Sequence, residues 1–227
     1  MDPRLILAML ADARLPSGAH TQSAGLEAMV QGGLTVVDIP DYLRTRLRTV
    51  TVTEAGTAVL ARRAWLAGGP GAVEEVVAHW AARTPSHHAR DAAERLGRGY
   101  ARLARRLWPD GLSSDEATVR GCRADLRYPR PVVLGVVAAV TGLDSGDLAR
   151  LIAYEDVQTI AAAALKLLPL DPVEAARWLL DLEPEIAALV AAVADLIDAR
   201  ELPAGGAPRL DHVVGIHAHA PRRLFHA

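Results

Sequence analysis

Few residues in this chain have the types and spacing that chemistry would need. His217 and His219 would put two imidazoles on one side of an extended segment, with His226 close by. That is a weak pattern for metal contact, because affinity needs further placed ligands. His87 and His88 are adjacent at a helix start, where neighbouring side chains diverge, so they do not suit one ion. Cys122 lies among arginines that would lower its thiol pKa, but without a paired histidine pattern it reads as a small packed residue. Glu155 and Asp156 become an acid–base pair only if folding brings histidines to them. No phosphate-binding loop GxxxxGK[ST], no HExxH zinc helix and no GxSxG nucleophile turn occurs, nor do the Glu-x-x-His pairs of di-iron bundles. The motif search therefore argues against an enzyme and names no bound cofactor.

The elements that must position these groups are helical throughout. Residues 147–168 are apolar on nearly every side, which belongs at the centre of a bundle. Four successive alanines, Ala161 to Ala164, keep that helix slim. One polar turn interrupts it, with Tyr154, Glu155, Asp156, Gln158 and Thr159; it reads as a patch where the helix reaches the surface. Lys166, the single lysine, lies in the last turn, where the helix dipole favours a cation. Pro169 stops the helix, and Asp171-Pro172-Val173-Glu174 restarts one with a cap and a capping box.

Earlier in the chain, residues 4–12 form a short apolar helix. Residues 17–27 are a small-residue turn into a helix that Gly32-Gly33 ends. A long helix runs from Asp38 to about Gly68, with a β-branched cluster at Thr49–Thr53 that would also tolerate a strand. Val73, Val76, Val77 and Trp80 mark the next helix. Ser86 opens an arginine-rich one whose Leu96, Tyr100, Leu103 and Leu107 share a face; its arginines read first as a solvated face and second as a partner surface. Ser113 to Glu116 is another capping box. Residues 132–140 form a buried helix. Glu183-Pro184 starts a helix carrying Ile186, Leu189, Val190, Val193, Leu196 and Ile197 on its apolar side. The expected architecture is all-α: a single-domain bundle of about nine or ten helices over residues 1–202, a Gly/Pro linker at 203–208 and a basic, histidine-bearing tail at 209–227.

Composition narrows the function classes. At 227 residues the chain can bury a sizeable core, and 51% hydrophobic with 23% charged residues describes an ordered protein. Twenty-five basic and 27 acidic groups leave a formal net charge of −2, which gives no electrostatic case for nucleic acid or an anionic membrane. A single cysteine fits a reducing compartment, no stretch is long enough to span a membrane, and the amino terminus makes a poor signal peptide. The expected location is cytoplasmic.

Three stretches together resemble the UreF family of urease accessory proteins. The first is Leu15-Pro16-Ser17-Gly18 through His20 and Ser23 to Gly25-Leu26-Glu27. The second is Lys166-Leu167-Leu168-Pro169-Leu170 with Arg177. The third is His217 with Arg223-Leu224-Phe225. They lie in the family's order and span the chain. Ala19, Asp171, Pro172, Ala176, Ala218 and Ala227 depart from the family pattern. The resemblance implies a non-catalytic, homodimeric chaperone that bridges UreD (UreH) and the GTPase UreG while nickel is delivered to apo-urease, with nickel in transit and no tightly bound cofactor. It implies partner contacts at Lys166, Arg177, His217, Arg223, Leu224 and Phe225, and a polar wall or conduit at Gly18, His20, Ser23, Gly25 and Glu27. Composition alone leaves two alternatives open: a helical ligand-binding regulator unrelated to urease, and an enzyme built around Glu155 and Asp156.

Overall fold

The computed structural model describes residues 1–109, 128–218 and 224–225, and its regular elements are helical. In chain order they are α1 (Pro3–Leu10), α2 (Leu26–Gln31), α3 (Ile39–Arg46), α4 (Val52–Gly68), α5 (Pro70–Arg83), α6 (His87–Leu107), α7 (Arg130–Thr141), α8 (Ser145–Leu167), α9 (Pro172–Asp181), α10 (Glu183–Val193) and α11 (Pro208–Ala218). No β-strand forms among the described residues. A π turn, Leu47–Thr51, joins α3 to α4 without a break, so the β-branched cluster widens a helix instead of making a strand. The capping box at 113–116, Cys122, His219, Arg223 and His226 lie outside the described residues.

Local chemistry sets the helix ends. Ser86 Oγ accepts from Ala89 N at 3.3 Å, and Asp171 Oδ1 accepts from Val173 N at 2.8 Å. Asp144 Oδ1 accepts from Asp147 N at 2.8 Å and starts α8. Each satisfies a backbone donor that a helix start leaves free.

The apolar segment is the centre of the bundle, as its composition requires. Leu148, Leu151, Ile152, Val157 and Ile160 of α8 are buried, and α1, α2, α4, α7, α9 and α10 pack around it. Beside it, α4 and α7 touch backbone to backbone: a Cβ on Gly135 would fall 2.4 Å from Ala58 O. The alanines of α4 (Ala55, Ala58, Ala61) make that approach possible.

Four features differ from the sequence reading. The polar turn of α8 is not a surface patch: Asp156 is 6% exposed and the Glu155 side chain 10%. Arginines from other helices reach both carboxyls, and no local pattern in α8 announces them. Second, α6 buries Ala93, Gly97, Tyr100 and Ala104, while Leu107 is 46% exposed. Small residues win that face because Gly97 passes Tyr128 O so closely that a Cβ would lie 2.1 Å from it. Third, α10 stops at Val193; Asp198 then caps a 3-10 turn (Ala199–Glu201), and Ile197 is left 76% exposed. Fourth, part of the segment read as a tail is the helix α11, packed on α2 and α6 with Leu210 buried.

Candidate functional site

The loop before α2 is the first part of the site. Gly18 (φ +91°) and Gly25 (φ +84°) take left-handed conformations, and Ala24, just before Gly25, has φ +52°. A side chain at Gly25 would also crowd the Tyr42 hydroxyl, 3.1 Å away. Two donors hold the loop from α3: Tyr42 OH donates to Ala24 O at 2.6 Å, and Arg46 Nη1 donates to the same oxygen at 3.2 Å. On its other side, Gly99 of α6 lies against Ser17, where a Cβ would come within 2.1 Å of the carbonyl oxygen.

Arg46 is itself fixed by α8. Its Nη2 donates to Asp156 Oδ1 at 2.6 Å and its Nε to Oδ2 at 3.0 Å, a bidentate pair, while Thr51 Oγ1 donates to Oδ2 at 2.7 Å. Residues 46 and 51 would sit about 140° apart around a regular α-helix. The π turn between them narrows that angle and brings both onto one carboxylate. Burial alone would raise the Asp156 pKa, but the guanidinium and the two donors hold it below the usual carboxylate range.

Glu155 has a different environment. Tyr100 OH donates to its Oε1 at 2.5 Å, and Arg130 Nη1 lies 3.6 Å from Oε2. Arg130 gives its closer bond to Glu54 of α4. Burial therefore pushes Glu155 above the usual carboxylate range, with Arg130 and Tyr100 offsetting only part of the effect. Burial, and the Glu155 carboxylate next, push the Tyr100 phenol up too. Oε2 of Glu155 is buried with no hydrogen-bond donor among the described residues.

The carboxyl end closes the site. The Glu27 carboxylate, buried at the start of α2, accepts Leu224 N at 2.7 Å and Phe225 N at 3.0 Å. Phe225 is 4% exposed, and Lys166 Nζ stands 5.1 Å from its ring centroid, a cation–π distance. Glu27, Lys166 and Phe225 come one from each of the three stretches singled out in the sequence, and they meet in one corner. A cavity of about 240 Å³ opens there, with Phe225, Lys166, His20, Tyr100 and Glu155 in its wall. A second, about 130 Å³, lies across Ala19, Gln22 and Thr159, which line both, and reaches Arg46, Arg130 and Asp156.

The remaining sequence candidates are distributed more widely. His20, Lys166 and Arg177 are exposed, Ser23 is 1% exposed with its hydroxyl unpartnered among the described residues, and His217 lies on α11. Among the described residues no group of three or more His, Cys, Asp or Glu side chains gathers as a metal site. Arg46, Arg130, Glu54 and Tyr100 were missed as site residues. The available signals were an arginine inside an otherwise apolar helical face at 46 and another flanked by prolines at 129 and 131.

Fold and site define an all-helical protein whose carboxyl-terminal residues clasp a polar corner of its own body. Comparison with known proteins narrows this. The UreF family model matches residues 35–183. Urease accessory protein UreF of Mycobacterium marinum (strain ATCC BAA-535 / M) is 35% identical over 227 residues, 97% of each chain. The proteins of that name from Mycobacterium sp. (strain JLS) and Mycobacterium tuberculosis (strain ATCC 25618 / H37Rv) are 36% and 34% identical, over 96% and 97% of each chain. The chain belongs to the UreF family of urease accessory proteins. Those relatives are named as accessory proteins, not as urease subunits. No helix among the described residues is long and apolar enough to cross a membrane.

Proposed function

We propose that this chain is a non-catalytic scaffold for nickel insertion, bridging UreD (UreH) and the GTPase UreG on apo-urease, as a homodimer in the cytoplasm. The observation that supports this most is the convergence of Glu27, Lys166 and Phe225, drawn from three distant stretches, on one corner of the body. Such a corner presents a basic side chain at the surface with an apolar anchor beneath it, the combination that dominates protein interfaces. Arg177 is a second exposed basic side chain, on α9. Lys166 and Arg177 are assigned to UreG, and His217, Arg223, Leu224 and Phe225 to partner contacts of the tail. Nickel is cargo in this scheme, passing by the small-residue loop from Gly18 to Glu27 without a resident metal site. GTP hydrolysis belongs to UreG.

The test is co-expression with UreD, UreG and the urease subunits of the same source, with the whole chain and with residues 209–227 removed. The whole chain is expected to co-purify with both partners and to support nickel-dependent urease activity, and the truncated chain to lose both. A clean pull-down lacking UreD and UreG sinks the proposal. Lys166→Ala and Arg177→Ala are expected to weaken UreG capture while UreD capture persists.

A further inference from the structure

Around the polar turn of α8 the charges of the described residues do not balance. Two guanidinium groups, Arg46 and Arg130, face three carboxyl groups, Glu54, Glu155 and Asp156. Asp156 has a bidentate partner and Glu54 has the nearer claim on Arg130, so the surplus negative charge falls on Glu155. That carboxylate is nine-tenths buried, lines the 240 Å³ cavity, and keeps one oxygen without a hydrogen-bond donor among the described residues. A buried carboxylate oxygen left unpaired is costly, and it either takes a proton or finds a donor.

The walls specify which donor fits. Tyr100, Tyr154 and Phe225 bring aromatic rings to the cavity, and Gln158, Thr159 and Ser17 bring polar side chains. Aromatic faces attract cations, and the amide and hydroxyls can accept N–H groups. Of the other charged groups in the wall, Asp12 is paired with Arg14 at 2.7 Å and Lys166 is solvent-exposed over the Phe225 ring, where water screens it; the His20 imidazole is exposed as well. Among the described residues of the wall, Glu155 is the one acid whose side chain is nine-tenths buried. A divalent metal is a poor fit, since no cluster of three ligating side chains gathers among the described residues.

We infer that the Glu155 cavity is a binding site for a small N–H-bearing cation, an ammonium ion or primary alkylammonium group, donating to Glu155 Oε2. The inference stands on the cavity and its charge and does not depend on the proposed scaffold role. For a ligand of one or two heavy atoms the attainable affinity is millimolar at best.

The probe is methylammonium chloride, titrated against the full chain at mildly alkaline pH and constant ionic strength, with thermal unfolding as the readout. At ten times the dissociation constant Tm is expected to rise by roughly 3–6 °C. Ammonium chloride should behave alike. Sodium chloride and tetramethylammonium chloride, which donate no N–H, should leave Tm within 1 °C or so of its starting value. Glu155→Gln, checked for native helix content, should abolish the methylammonium response. Equal responses to methylammonium and tetramethylammonium overturn the inference, and so does an undiminished response in a folded Glu155→Gln. If that variant does not fold, the pH dependence in the unaltered chain decides. Methylammonium must compete with a proton, so its affinity should fall as Glu155 protonates; an affinity flat through that range refutes the site.

Discussion

Replacing Glu27 by glutamine should release the carboxyl end without unfolding the body. The carboxylate accepts two backbone N–H groups, at 2.7 and 3.0 Å, across 197 and 198 residues of sequence. Hydrogen bonds to a charged group contribute about 1.5–3 kcal/mol each. Glutamine keeps one acceptor oxygen but turns an NH₂ toward the second backbone donor, so one bond is lost and the other loses its charge. The expected loss is about 2–3 kcal/mol, felt by the segment that Glu27 holds. Near 1.4 kcal/mol per factor of ten, the Leu224 and Phe225 amides should exchange with solvent roughly 30- to 150-fold faster. Amide exchange followed by NMR measures this directly, with the buried amides of α8 as the internal control. Unchanged protection at Leu224 and Phe225 would refute the clamp. Faster exchange spread equally over α8 would refute its local character, since that pattern reports global destabilisation.

The other predictions concern the framework beneath the clamp. Asp156→Asn should cost about 3–5 kcal/mol in urea unfolding, because it leaves Arg46 buried with half a partner. The paired replacement Arg46→Met with Asp156→Leu should cost far less than the two single changes added together, since neither then leaves an unpaired charge. Gly99→Ala should destabilise by about 2 kcal/mol or more and shift the amide resonances of residues 17–25, because its Cβ meets the Ser17 carbonyl at 2.1 Å. For pH, the two neighbouring carboxyls act in opposite senses. Asp156 is lowered, so its stabilisation is present above the usual value of 3.8 and is lost as pH falls through its folded value. Glu155 is raised, so its protonated form favours the fold, and stability is lost as pH rises from 4.5 toward its folded value. Urea midpoints measured from acid to neutral pH should therefore fall less over that rise in Glu155→Gln than in the unaltered chain. Parallel curves would remove Glu155 from the explanation.

Sequence patterns conveyed what is local and missed what is distant. Residues 147–168 could be read as a core helix because apolar side chains on nearly every face leave no other place for them. The caps at Ser86 and Asp171 were equally legible, since a hydroxyl or carboxylate three or fewer residues before its donor needs no knowledge of the rest of the chain. The polar turn at Glu155 and Asp156 failed for the opposite reason. Asp156 finds Arg46 110 residues away, and no periodicity in either helix records the meeting. The α6 stripe failed because its rule is volume. Gly97 and Gly99 are chosen by two carbonyl oxygens that pass within a Cβ's radius, and a hydrophobicity pattern carries no trace of them. The motif residues were visible individually; their convergence on Phe225 was not.

The buried charge network is better explained by position than by stability. An ion pair out of water returns little net free energy, and packed apolar residues of similar volume often do as well. What apolar residues cannot do is hold a loop by its backbone. Arg46 spends two donors on Asp156 and one on Ala24 O, and Tyr42 adds a second donor to that oxygen. The carbonyl so fixed precedes Gly25 in its left-handed conformation, and Gly25 in turn starts the helix that carries Glu27. The carboxylate of α8 thus sets, through one guanidinium and one carbonyl, where the clamp for Leu224 and Phe225 stands. On the other side of the same helix turn, Glu155 is held by Tyr100, from the helix whose Gly99 backs the same loop at Ser17. Two adjacent acids therefore hold the two flanks of one short loop, one paired and one with an oxygen to spare, and the corner where the three distant stretches meet is built on that loop.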